Sequence, residues 1–234
     1  MIKFFERASD LIAMLFLCLK QQLGSRFMFV PLAVLIWPIY QAVRLLESQQ
    51  NLFTSADVQN NLLGLPIYLL AIGLGIGIIA KEIERGTLEV VYTIPGGAQK
   101  IWLLKLAGAA LIIIIAELLL AVITSMLFTS FPISVLYRTF QAAVFFLVLS
   151  MGAGALFRSE LAAGMFSAAV LFTILPRFSH NRWSPLFDPL HPGVGNIVDI
   201  VAWSVQNHIG IGLLIIVLIV VTFKRAERRE LLLD

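Results

Sequence analysis

KEIERGTLEVVYTIPGG, residues 81 to 97, places five charges in its first nine residues, then turns apolar and stops at Pro95-Gly96-Gly97. Long hydrophobic runs flank it, about 62–80 before and 103–128 after. Each run matches the roughly 20 apolar residues that a helix needs to cross a bilayer core of about 30 Å. The charged stretch is then a connection between two membrane-spanning helices, and the rest of the chain repeats that pattern.

The chain has 234 residues, of which 59% are hydrophobic and 13% charged, with a mean hydropathy of +0.93. Soluble domains carry about a quarter charged residues, so this composition belongs to an integral membrane protein. We read one all-α domain with six spans at about 27–45, 62–80, 103–128, 139–157, 161–176 and 209–223. Pro31 and Pro38 interrupt the first, which predicts a kink or a later start. Residues 177–208 join the last two spans, and their second half reads as one or two short interfacial helices. Cys18 is the single cysteine, so no internal disulfide forms. KQQLGSR follows the apolar run at 11–19 without an A-x-A-like site, and a cleaved signal peptide is not expected.

Charge sets the orientation. Lys3, Arg7, Lys20, Arg26, Lys81, Arg85, Lys100, Lys105, Arg158, Lys224, Arg225, Arg228 and Arg229 fall on one side, 13 of the 17 Lys and Arg. Arg44, Arg138, Arg177 and Arg182 fall on the other. This predicts a multi-pass protein of the cell (inner or plasma) membrane with both termini and residues 81–97 cytoplasmic, and with 177–208 outside. The modest net charge of +3 gives no reason to expect a nucleic-acid partner.

Residues 1–24 read as an amphipathic helix in the inner interface. Lys3, Glu6, Arg7 and Asp10 share one face, and Phe4, Phe5, Leu11, Ile12, Leu15 and Leu19 lie opposite. Such an element either anchors the chain or also touches a cytoplasmic partner.

Motifs for catalysis are absent. GGAQK at 96–100 has neither the spacing nor the Ser/Thr of a phosphate loop. There is no H-E-x-x-H and no G-x-S-x-G. His180, His191 and His208 fit no helical metal spacing. They either converge with Asp188 or Asp199 on a metal or haem, or serve as interfacial histidines with structural partners.

Glu117 lies in the middle of IIIIAELLLAV, where an ionisable group rarely faces lipid. It either lines a pathway or is paired within the bundle, with Gln141 or a Ser/Thr as partner. Gly73, Gly75 and Gly77, with Gly152 and Gly154, allow close helix approach or smooth the wall of a conduit.

As a helix, 81–94 puts Ile83, Thr87, Val90, Val91 and Ile94 on one face and Glu82, Arg85, Glu89 and Thr93 on the other. It can lie flat on the membrane, charged face outward, with Gly86 bending it away from the preceding span and Pro95 ending it. Lys100 and Lys105 then snorkel at the base of the next span. That geometry suits a lever driven by a soluble partner, and equally an ordinary interfacial loop.

Glu82, Gly86, Thr87, Leu88 and Glu89, read as E-x-x-x-G-T-L-E, followed by Pro95 and by Lys105 opening a span, resemble the permeases of type-2 ABC transporters. The six-span plan, the amphipathic N-terminus and the basic tail FKRAERRELLL are similar too. The resemblance implies a transmembrane exporter subunit without its own ATPase site and with no cofactor bound by this chain. ATP and magnesium would be held by a separate ABC ATPase subunit, and a second permease copy would complete the unit within membrane lipid. It further implies a coupling helix whose partner contacts include Glu82, Arg85, Gly86, Thr87, Leu88, Glu89 and Pro95; Glu117 is a pathway candidate from its mid-span position. The family's larger members carry big outer domains that this chain lacks. A haem exporter membrane component of cytochrome c maturation, a non-transport scaffold or assembly factor, and an integral-membrane enzyme are the other readings.

Overall fold

A computed structural model describes residues 29–48, 53, 57–88, 92, 97–174, 181–189 and 197–227. The expected N-terminal amphipathic helix lies outside these residues. Every regular element among those described is helical. In chain order they are α1 (Phe29–Ser48), a π-helical segment (Val58–Gly64) running into α2 (Leu65–Glu84), α3 (Ala98–Leu127), α4 (Ile133–Phe157), α5 (Glu160–Ala169) continued by a π-helical segment (Val170–Ile174), and α6 (Ile197–Ala226).

Four of these stretches are long and apolar enough to cross a membrane: Val58–Glu84, Ala98–Leu127, Ile133–Phe157 and Asp199–Ala226. They contain the second, fourth and sixth expected spans and all but the last residue of the third. Within the stretches expected as first and fifth, the described residues include the apolar helical pieces Leu35–Leu46 and Glu160–Thr173. Pro38 sits inside α1, whose helix continues through it. The short interfacial helices expected before the last span are instead part of α6, which runs unbroken for 30 residues.

Helix ends follow local chemistry. Pro66 falls where the π-helical segment passes into α2, a position at which it cannot donate a helical N–H. Pro132 caps α4 in an extended conformation. Arg158 ends α4 in the left-handed region (φ 57°), its N–H bonded to the Gly154 carbonyl. Ser159 is extended, and α5 starts at once.

α4 is the centre of the bundle. It packs along α2 and also touches α3, α5 and α6. Gly75 makes the α2–α4 approach possible: a Cβ there would lie 2.0 Å from Ser150 Oγ and 2.3 Å from the Leu147 carbonyl oxygen. Gly154 faces Ala80 across the same seam. Tyr68, Ile78, Ile79, Phe146, Leu147 and Met151 fill the core between the two helices. The outer faces are equally apolar. Ile115, Leu118 and Val122 on α3 and Leu213, Ile216, Val217 and Val220 on α6 are exposed at helical spacing. Apolar residues both inside and outside are what a helix bundle needs when its solvent is hydrocarbon.

Lys81, Arg85, Lys100, Arg158, Lys224 and Arg225 all lie at one end of the helices, hereafter the basic end. At the opposite end residues 181–189 fold over the bundle. Asn207 of α6 donates to the Arg182 and Ser184 carbonyls at 2.7 and 2.8 Å, and Gln59 donates to the Phe187 carbonyl at 3.2 Å.

Candidate functional site

Two places in the bundle concentrate polar side chains. The first is the junction at the basic end. Glu82, one turn from the end of α2, is buried, as is Lys105 of α3. They form an ion pair, and Trp102 donates its indole N–H to the other Glu82 oxygen at 3.1 Å. Trp102 and Lys105 are three apart and share a face of α3. A buried carboxylate is tolerable only when its charge and lone pairs are met, and both partners are supplied here.

Around this pair the junction draws in further elements. Trp102 stacks edge-on with Tyr92 and lies against Phe223 of α6, with ring centroids 6.3 and 5.8 Å apart. The Tyr92 hydroxyl donates to the Ala226 carbonyl, and Gln99 donates to the Glu227 carboxylate. The Glu160 amide opening α5 donates to Glu84 Oε1 at 2.7 Å. The ends of α2, α3, α5 and α6 are thereby joined at one level.

α2 does not continue to residue 94 as one helix. Gly86 adopts φ 66°, its N–H bonds the Ile83 carbonyl at 3.1 Å, and the Thr87 N–H bonds the Glu82 carbonyl at 3.0 Å. This pair of bonds around a left-handed glycine is a Schellman stop. Leu88, just beyond the stop, is buried. Arg85, Gly86 and Thr87 are exposed on the turn. Glu82, expected on the outward charged face, points inward to Lys105 instead, and Lys105 is buried rather than snorkelling. The break at Gly86 uncouples the face of Glu82 from that of the residues beyond it. Glu89 and Pro95 lie outside the described residues.

The second place is a buried polar cluster in the opposite half. Glu117 is 4% exposed and Tyr68 2%. Glu117 Oε1, the Tyr68 hydroxyl and Thr139 Oγ1 have no hydrogen-bond partner among the described residues. Tyr68 lies beside Thr139 without hydrogen-bond geometry, and within electrostatic reach of Glu117 and Asp188. Glu117 adjoins the backbone of Phe140 on α4. Arg138, half-buried, feels Asp188 and has two nitrogens without a partner among the described residues.

Gln141 is not the partner of Glu117. It binds His208 twice: its Oε1 accepts from the Nδ1–H at 2.6 Å, and its Nε2 donates to the His208 carbonyl at 3.1 Å. Ser204 lies 3.4 Å from His208 Nε2, and Tyr137 packs edge-on at 4.7 Å. His208 therefore clasps α4 to α6. His180 and His191 lie outside the described residues, and among the described residues no three His, Cys, Asp or Glu groups are arranged to hold a metal.

Trp102, Tyr68 and Thr139 do not stand out as site residues in the sequence, and Lys105 does so only as an anchor of its span. A signal for Trp102 and Lys105 is nonetheless present: a Trp and a Lys three apart at the start of an apolar helix, facing the end of the preceding one. Tyr68 and Thr139 carry no pattern that marks them. Comparison of the chain with family models, with curated proteins and with solved structures returns no match.

Proposed function

We propose that this chain is the transmembrane permease of an ABC transporter, an exporter subunit whose energy comes from a separate ATPase. The observation that carries this reading is the junction at the basic end. The exposed turn Arg85–Thr87 leaves α2 one helical turn beyond Glu82, and Glu82 is locked to Lys105 and Trp102 of α3. A push on the segment between the two helices therefore reaches both as one unit, and through Tyr92 and Gln99 it reaches the end of α6.

In this reading the shorter apolar helices Leu35–Leu46 and Glu160–Thr173 complete six spans. Both termini and the 81–97 segment face the cytoplasm of a cell-membrane protein. The partner ATPase holds ATP and magnesium and seats on Arg85, Gly86, Thr87, Glu89 and Pro95. Glu82 and Leu88 stiffen that surface from beneath. ATP-driven closure of two ATPases tilts the paired helices of two permease copies, and the path between them changes its exposure. The coupling requires the ATPase to contact the two states differently.

A photoreactive amino acid at position 87 tests the proposal in intact membranes. Capture of a soluble protein bearing a phosphate loop is expected at 87 and not at lipid-facing 213. No capture at 87, or equal capture at both positions, would refute it.

A further inference from the structure

Glu117 sits ten residues before the end of α3 at Leu127, about 15 Å from that end at 1.5 Å per residue. Thr139 lies six residues into α4 from the same end, about 9 Å deep, and Tyr68 is ten residues into the continuous helical run that starts at Val58. Arg138 precedes Thr139 and is only half-buried. These groups step inward from the end opposite the basic one: half-buried Arg138 and, next to it in sequence, Thr139 beside Tyr68, then Glu117 beside Phe140 and within electrostatic reach of Tyr68.

Apolar residues of similar volume would pack this seam better. Buried polar atoms without partners instead mark places where water or a guest belongs. The guest must suit a carboxylate and two hydroxyls, one negative charge with no cation against it among the described residues. A carboxylate left ionised there bears the full cost of desolvation. A proton removes that charge, and a hydroxyl that accepts one proton while donating another passes it on without net change.

We propose that Glu117 is a proton-binding site in exchange with the solution at the end opposite the basic one, with water, Thr139 and Tyr68 as the relay. A proton from water at the Arg138 rim passes along the hydroxyls to a Glu117 oxygen, and the reverse steps return it. Of the elements packed against α3, α2 brings Tyr68, and α4 brings Arg138, which lies within electrostatic reach of Asp188. α1 brings Arg44, which is exposed and has an interaction of its own, and the π-helical segment Val58–Gly64 brings no ionisable group. The inference stands without the permease reading, since it concerns a different end of the bundle.

Infrared spectroscopy of the full chain in lipid vesicles tests it. The carboxylic C=O stretch assigned to Glu117 by its loss in Glu117→Gln is expected in the wild type at neutral pH, and should shift promptly in heavy water. Glu117→Asp moves the same band in frequency and secures the assignment if the glutamine variant does not fold. Thr139→Val and Tyr68→Phe should each slow the exchange about a hundredfold, the low range for a positioned proton-transfer group. A band that never exchanges would show a sealed, structural acid. No band at all, with sodium raising the melting temperature of the wild type only, would show an ionised Glu117 holding a metal cation. Either result overturns the proposal.

Discussion

Glu82 and Lys105, 23 residues apart in sequence, form a buried ion pair that ties the last turn of α2 to the first turns of α3. Neither side chain is more than one-tenth exposed. The charged connection between the two helices begins just beyond this tie, so its motion is shared between them from the outset.

Breaking one half of the pair leaves the other half buried and uncompensated. Glu82→Leu and Lys105→Met should each destabilise the protein by about 3–5 kcal/mol, while the two together should cost much less. Thermal unfolding in one detergent reads all the variants. Additive losses in the double variant would show that the two residues act separately.

The α2–α4 seam depends on Gly75. Gly75→Ala places a methyl group into Ser150 and the Leu147 carbonyl and should cost about 1–3 kcal/mol through overpacking. Gly73→Ala, with open space around it, should be neutral or stabilising by up to about 1 kcal/mol. Equal melting temperatures for the two variants would mean that the helices are not in close contact at Gly75.

Arg85 is exposed on the turn and tied to no element of the bundle by the bonds above. Arg85→Glu should change stability by less than about 0.5 kcal/mol and, on the proposed permease reading, should reduce recovery of a partner ATPase. Gly86→Ala should cost about 1–2 kcal/mol, because a Cβ disfavours the left-handed conformation, and should redirect the segment beyond it. Normal ATPase recovery from both variants would place the docking surface elsewhere.

Orientation is read by labelling. In a Cys18→Ser background, cysteine at the exposed Trp183 should react with an impermeant thiol reagent on intact cells. Cysteine at the exposed Arg85 should react only after lysis. The reverse pattern would invert the chain in the membrane.

Much of the architecture is legible in the sequence because hydrocarbon imposes a length and an apolar composition on any spanning helix. The runs at 103–128 and 139–157 match the C-terminal ends of α3 and α4 within one residue, while both helices start more than a turn earlier than the apolar runs. The facing of individual charges is not legible in the same way. Glu82 lies on a periodic charged face through Glu89 only if the helix is continuous, and the left-handed turn at Gly86 breaks that phase. GNIVDIVAWSVQNHI looks too polar for a span, but Asn207 and His208 spend their polarity on the 181–189 cap and on Gln141, so α6 runs through. The depth of Glu117 is evident from IIIIAELLLAV, whereas its neighbours Tyr68 and Thr139 come from distant helices and only the packing brings them together.

The permease reading meets its most direct test in gentle detergent purification of the native protein, with mass spectrometry of whatever remains bound. A stoichiometric soluble subunit bearing a phosphate loop is expected, together with one or two kinds of permease. Recovery of no such subunit, under conditions that keep a known ABC complex intact, would contradict the reading and leave the junction at Glu82 and Lys105 as a structural tie alone.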